Sequence, residues 1–262
     1  ASIMSATIVN VAVPDMSRHF TLGQDRAQWV SSGFMIAMTV SMLTTPWLLA
    51  RHGYRRTYSG SMWLLLIGSI IGGLAGDFTL LLAARVMEGL AAGIVQPIPA
   101  IIILRAFGPH EQGRAGGIFG MGVVLAPAIG PSVGGLLVDW FGWRSIFFMV
   151  IPFCLASLWL ARKFVPTVSP GEASQGRSGG KLDWPGLLLA SAGTLCLLNG
   201  LVELRAGPTR AAGLLLIAAT AALIGFVARQ TRLGRSELQG ADPPLMNLAI
   251  YRHRDRKSTR LN

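Results

Sequence analysis

Two residues of opposite charge stand three positions apart inside an otherwise apolar stretch: Arg85 and Glu88, within residues Phe78–Leu104. At i and i+3 of a helix they share one face and reach each other. Arg85 lies seven residues in from Phe78, about 10 Å along a helix rising 1.5 Å per residue. An unpaired charge at that depth in hydrocarbon costs about 2.5–3.5 kcal/mol or more, so the pair belongs in a bundle interior or a wet cavity. A structural ion pair fits these residues, as does an arginine that snorkels to the interface.

The other polar residues in apolar stretches, Asn10, Gln96 and Asn199, read first as hydrogen bonders between helices and second as substrate contacts. Met35, Met38 and Met42, with Phe34 beside them, make a soft stripe that suits ordinary helix packing and also a permissive apolar pocket. His19, His52, His110 and His253 fall in connections without metal-ligand spacing. No glycine-rich phosphate loop ending in lysine occurs. Cys154 and Cys196 lie in apolar segments and read as small buried side chains. The pattern calls for no enzyme, metal or cofactor.

What must position these residues follows from composition. The 262 residues are 52% hydrophobic and 13% charged, with mean hydropathy +0.52; a soluble domain carries about 25% charged residues. The charges are bunched, leaving apolar stretches near the ~20 residues a helix needs to span a bilayer. The expected segments run from the start to Val13, then Trp29–Ala50, Thr57–Leu74, Phe78–Leu104, Gly113–Val138, Ile146–Leu160, Trp184–Leu204 and Ala211–Ala228. The first is too short to cross and reads as a truncated spanner. The expected fold is all-α, a polytopic helix bundle in a membrane.

The net charge of +11 reports topology rather than a nucleic-acid partner. Arg51, Arg55, Arg56, Arg105, Arg114, Arg162, Lys163, Arg177, Lys181 and the basic region from Arg229 fall on one side of alternate connections. The other side holds Arg18, Arg26, Arg144, Arg205 and Arg210, mostly balanced by Asp15, Asp25, Asp139 and Glu203. This asymmetry puts the basic side, and the N-terminus with it, in the cytoplasm.

Organisation along the chain is expected as a six-helix unit over 1–164, a linker over 165–183, an added helix pair over 184–230 and a connection over 231–254. The linker contains PTVSPGEASQGRSGGK, Pro166–Lys181, which can bury almost nothing. The closing DRKSTRLN, 255–262, is polar and resembles translated sequencing adapter rather than protein. Inside the six-helix unit, LLARHGYRR (48–56) and LLVDWFGWR (136–144) echo each other. Both carry glycine, an aromatic residue and arginine after an apolar helix, as an inverted repeat of three helices would.

Five motifs, SATIVNVAVP (5–14), HGYRR (52–56), ARVMEGLAAG (84–93), GPSVGG (130–135) and LDWPG (182–186), occur in the order and spacing of a known family. The chain resembles the N-terminal part of the fourteen-helix drug:proton antiporters of the major facilitator superfamily. That resemblance implies a major-facilitator-type half, with LDWPG opening the added helix pair. It assigns Arg85 to an arginine implicated in proton movement. Gly130, Pro131, Gly134 and Gly135 become the antiporter motif, with Gly117 matching an upstream glycine and Ala126 standing where another is usual. Pro127 and Pro131 should bend that helix, and its glycines should admit a close neighbour. Gly53, Arg55 and Arg56 become the family's cytoplasmic loop. This loop departs from the pattern, with Ala50 in place of an aspartate and Pro46 in place of a glycine.

Ser5 stands where the family commonly has an aspartate thought to carry the proton or meet cationic drugs. Serine does not ionise near neutral pH, so Glu88 is the remaining carboxyl candidate in the six-helix unit and Asn10 its polar companion on the first helix. The resemblance implies export of drugs or other lipophilic small molecules by proton antiport and alternating access, across a bacterial inner membrane. The expected partners are the bilayer, a small molecule, protons and a C-terminal half of the same protein.

Overall fold

The computed structural model describes residues 2–165, 183–206 and 209–237, and every regular element in them is a helix. The expected linker segment Pro166–Lys181 and the closing DRKSTRLN lie outside the described residues, as does most of the connection over 231–254. The chain divides into two compact units, Ala1–Arg177 and Ser178–Asn262.

The first unit contains α1 (Ser2–His19), α2 (Gln24–Ala27), α3 (Trp29–Met42), α4 (Thr45–Leu74), α5 (Phe78–Val95), α6 (Ile98–Ala106), α7 (Pro109–Phe141) and α8 (Ser145–Phe164). Prolines set most of the departures from the expected segments. The Trp29–Ala50 segment breaks after Met42, because Pro46 lacks an N–H and its ring crowds the carbonyl four residues back. Thr44 closes the break by donating to the Ser41 carbonyl at 2.7 Å. Phe78–Leu104 divides at Gln96 and Pro97 for the same reason. The first segment does not stop at Val13: α1 passes through Pro14 to His19, and Met16 there is buried in the core. The α7 helix starts four residues earlier than the expected Gly113, with Pro109 in its first turn, where a missing N–H costs nothing.

Helix α1 packs on α7, α3 and α4 both pack on α5, and α4 also packs on α8. One core cluster joins Ile8, Met16, Val30, Leu81, Ile146 and Phe147 from α1, α3, α5 and α8. A second joins Leu65, Ala91, Val150 and Cys154, so Cys154 is indeed a buried apolar filler. Large apolar side chains also face outward, among them Leu74 (68% exposed) and Trp140 (72%). Among the described residues, six helical stretches are long and apolar enough to cross a membrane: Thr45–Leu74, Phe78–Leu104, Pro109–Phe141, Ser145–Phe164, Trp184–Leu201 and Arg210–Leu233.

The sequence echo has a structural counterpart. Gly53 turns with φ 73° and ψ 171°, and Gly142 with φ 78° and ψ 170°, a left-handed conformation that side chains rarely adopt. Each glycine is followed by a buried aromatic residue, Tyr54 or Trp143, and then by an arginine. At the second turn Arg144 donates to the Ala75 carbonyl at 3.1 Å, lies 4.3 Å from the Trp143 ring centre and approaches His19 Nε2 at 3.4 Å.

The second unit is a helical hairpin of α9 (Trp184–Ala206) and α10 (Arg210–Glu237). Helix α10 outruns the expected end at Ala228. LDWPG owes its form to one side chain. Asp183 caps α9 by accepting from the Gly186 N–H at 3.0 Å, and it also accepts from Arg229 Nε at 2.7 Å and Gln230 Nε2 at 2.9 Å. A side chain at 186 would run into the Asp183 carboxylate. Asp183→Ala removes the cap and both cross-helix bonds, and is expected to destabilise the hairpin by about 2–3 kcal/mol. Protease protection of the α9–α10 fragment in detergent measures it, with Trp184→Phe expected to stay near the parent.

Candidate functional site at a four-helix junction

Asp77 starts α5 by accepting the Leu80 N–H at 2.8 Å, and two turns later Arg85 and Glu88 point into the unit. Both side chains are 0% exposed, and Arg85 Nη1 pairs with Glu88 Oε2. Ser5 of α1 bridges them, accepting from Arg85 Nη1 at 3.1 Å and donating to Glu88 Oε2 at 3.2 Å. From α4, Ser69 donates to the other carboxylate oxygen at 2.6 Å. From α3, the Val30 carbonyl accepts Arg85 Nε at 3.3 Å, and the guanidinium carbon lies 4.2 Å from the Phe34 ring centre. Arg85 Nη2 is the one guanidinium nitrogen with no hydrogen-bond partner. Four helices therefore meet on a single ion pair.

This geometry gives the site two capacities. The paired charges cancel, so the junction is tolerable in hydrocarbon. The two hydroxyls on Glu88 donate now and can accept after rotation, because a hydroxyl carries both a proton and lone pairs. A proton placed on Glu88 would thus find acceptors without any helix moving.

The remaining candidates fall elsewhere. Asn10 is exposed on α1 and makes no hydrogen bond to the ion pair; it accepts from Ser31 of α3 at 2.6 Å, which is the interhelical bond expected of it. Asn199 instead donates to the Leu195 carbonyl of its own helix, and Gln96 sits exposed at the α5–α6 break.

Gly130 and Gly134 are buried against Thr7 and Ile8 of α1, and Gly135 lies by Val11. They seat α7 on the helix that carries Ser5. Gly117 has open space around it, Ala126 is half-buried and Pro131 is exposed. The backbone of α7 stays helical from Pro109 to Phe141 through both Pro127 and Pro131. In the turn at Gly53, Arg55 is half-buried and Arg56 exposed, and Thr57 ties the turn by donating to the Leu48 carbonyl at 3.1 Å. Met35 and Met42 face outward, while Phe34 is fully buried against Arg85. Among the described residues no three His, Cys, Asp or Glu side chains come together.

Sequence reasoning missed Ser69, Val30 and the covering role of Phe34. A signal for Ser69 exists: Ser61, Leu65, Gly68, Ser69 and Gly72 recur at helical spacing and are all buried, a small and polar stripe that marks an inward face. Val30 acts through its backbone, which no side-chain pattern reveals.

The profile of the Major Facilitator Superfamily matches residues 1–250. The chain is 32% identical over 252 residues to the tetracenomycin C resistance and export protein of Streptomyces glaucescens, covering 95% of this chain and 44% of that protein. It is 30% identical over 260 residues to the multidrug resistance protein B homolog of Mycobacterium tuberculosis, covering 97% and 46%. The chain spans about half the length of the curated relatives it matches. Among solved structures, an auto-inhibited peptide transporter of the POT family superposes with a TM-score of 0.53 at 18% identity, over 91% of this chain and 52% of that one; at that identity the likeness concerns fold. With one family profile running from residue 1 to residue 250, this multi-pass membrane chain belongs to the Major Facilitator Superfamily of membrane transporters.

Proposed function

We propose that the chain is the N-terminal half, with an added helix pair, of a secondary transporter that exports lipophilic small molecules in exchange for protons. The observation that carries the reading is the carboxyl of Glu88, fully buried at a junction of α1, α3, α4 and α5 and flanked by two hydroxyls. Relatives named for multidrug resistance and for tetracenomycin C export support the substrate class. In this reading Glu88 takes the proton, Arg85 sets its charge balance, and Ser5 and Ser69 hold it between transfers. Gly130 and Gly134 let α7 and α1 move as one wall, with Pro131 and its neighbours the place where that wall yields. Gly53, Arg55 and Arg56 anchor the turn at the cytoplasmic face of a bacterial inner membrane.

The test uses inverted vesicles from cells expressing the gene that encodes this chain. Adding a lipophilic substrate is expected to discharge part of an imposed pH gradient, and Glu88→Gln at equal membrane abundance is expected to abolish that discharge. Discharge undiminished in Glu88→Gln removes Glu88 from the proton path. A second reading, a transporter with another coupling ion or none, is favoured by Ser5, which leaves α1 without a carboxylate at the junction. It predicts export that persists after a protonophore collapses the gradient.

A further inference from the structure

The turn between the second and third crossings borders a groove of about 240 Å³ that the ion-pair site does not use. Its floor is apolar, formed by Leu48, Leu64 and Ile94, and its rim carries His52 and Arg56. Gly60 lies on its wall with no atom within 4 Å of where a Cβ would stand. Trp47 lies next to the rim, 6.2 Å from the His52 ring, with Arg51 at 5.5 Å over its indole. Tryptophan beside arginine marks the headgroup level of a membrane.

We propose that this groove binds one anionic phospholipid, its phosphate on Arg56 and His52 and the start of an acyl chain over Leu48, Leu64 and Ile94. Charge complementarity fixes the occupant. Arg56 and His52 are exposed, and the chain has no Asp or Glu between Asp25 and Asp77, so neither α3 nor α4 supplies a counter-charge. An uncharged or zwitterionic lipid would leave the basic rim unmatched, and a free phosphate would leave the apolar floor empty.

The full chain, purified with bound lipid and exchanged into mixed micelles of phosphatidylglycerol and phosphatidylcholine, tests this by native mass spectrometry. One phosphatidylglycerol should be retained in preference to phosphatidylcholine. Arg56→Gln should lower that retention about fivefold, the effect of one basic residue at an anionic surface. Gly60→Leu keeps every charge, fills the groove without a clash and favours the helix, and it should lower retention as much. Arg162→Gln, at the end of α8 and outside the groove, should leave it unchanged. Equal retention of the two lipids overturns the site, and so does an equal loss in Arg162→Gln, which is a general surface effect. Full retention in Gly60→Leu, or displacement of the lipid by millimolar inorganic phosphate, also overturns it.

Discussion

Glu88→Ala is expected to destabilise the first helical unit by about 3–5 kcal/mol, because it leaves Arg85 charged, unpaired and wholly enclosed. The loss should be read as a fall in melting temperature of the purified chain in detergent, or as earlier unfolding in a denaturing-detergent titration. The double variant Arg85→Met, Glu88→Leu is expected to recover most of that stability, since packed apolar residues often replace a buried ion pair at little cost. Arg85→Met, Glu88→Leu and the double variant form a cycle, and a coupling energy of about 0.5–3 kcal/mol is expected for groups in contact. A Glu88→Ala chain that melts with the parent would mean the junction admits water and the charges are solvated. The double variant also separates support from proton transfer. If the pair only braces four helices, a stable Arg85→Met, Glu88→Leu protein still couples export to protons. If Glu88 carries the proton, the same well-folded protein does not.

That a bilayer protein of helices follows from this sequence is a consequence of arithmetic: stretches of apolar residues near the spanning length, separated by bunched charges, admit little else. The Arg85–Glu88 contact was legible for a local reason, since i,i+3 spacing within one helix brings two side chains together whatever the tertiary fold. The stripe on α4 marks Ser69 as inward-facing, but its bond to Glu88 was not legible, because that partner lies 19 residues away on another helix and only packing brings them together. The breaks at Thr44 and Gln96 show a different limit. Hydropathy runs straight through them, and what interrupts the helix is the backbone chemistry of Pro46 and Pro97. Conversely α7 keeps its helical backbone past Pro127 and Pro131, and Gly130 and Gly134, one full turn apart, bring it against Thr7 and Ile8 of α1. A proline's local cost is thus decided by what the same turn gains in packing.

The sharpest contest between local preference and packing lies at Gly89. On propensity alone Gly89→Ala should stabilise α5 by about 1 kcal/mol. The structure reverses the sign. A Cβ at 89 would collide with the Phe34 carbonyl and lie 2.9 Å from the Ala37 Cβ, so α3 must move away from α5. Overpacking of that kind costs about 1–3 kcal/mol, and the shift carries Phe34 and the Val30 carbonyl, both on α3, away from Arg85. Gly89→Ala is therefore expected to destabilise the unit by about 1 kcal/mol net of propensity. Gly60→Ala, where a Cβ meets nothing within 4 Å, is expected to stabilise it by up to about 1 kcal/mol. Melting the two variants side by side in one detergent decides the matter. Opposite signs mean that close approach of α3 and α5 holds the charged junction shut. If both variants gain stability, the two helices are not in contact at Gly89 and the cover over Arg85 is looser than the structure has it.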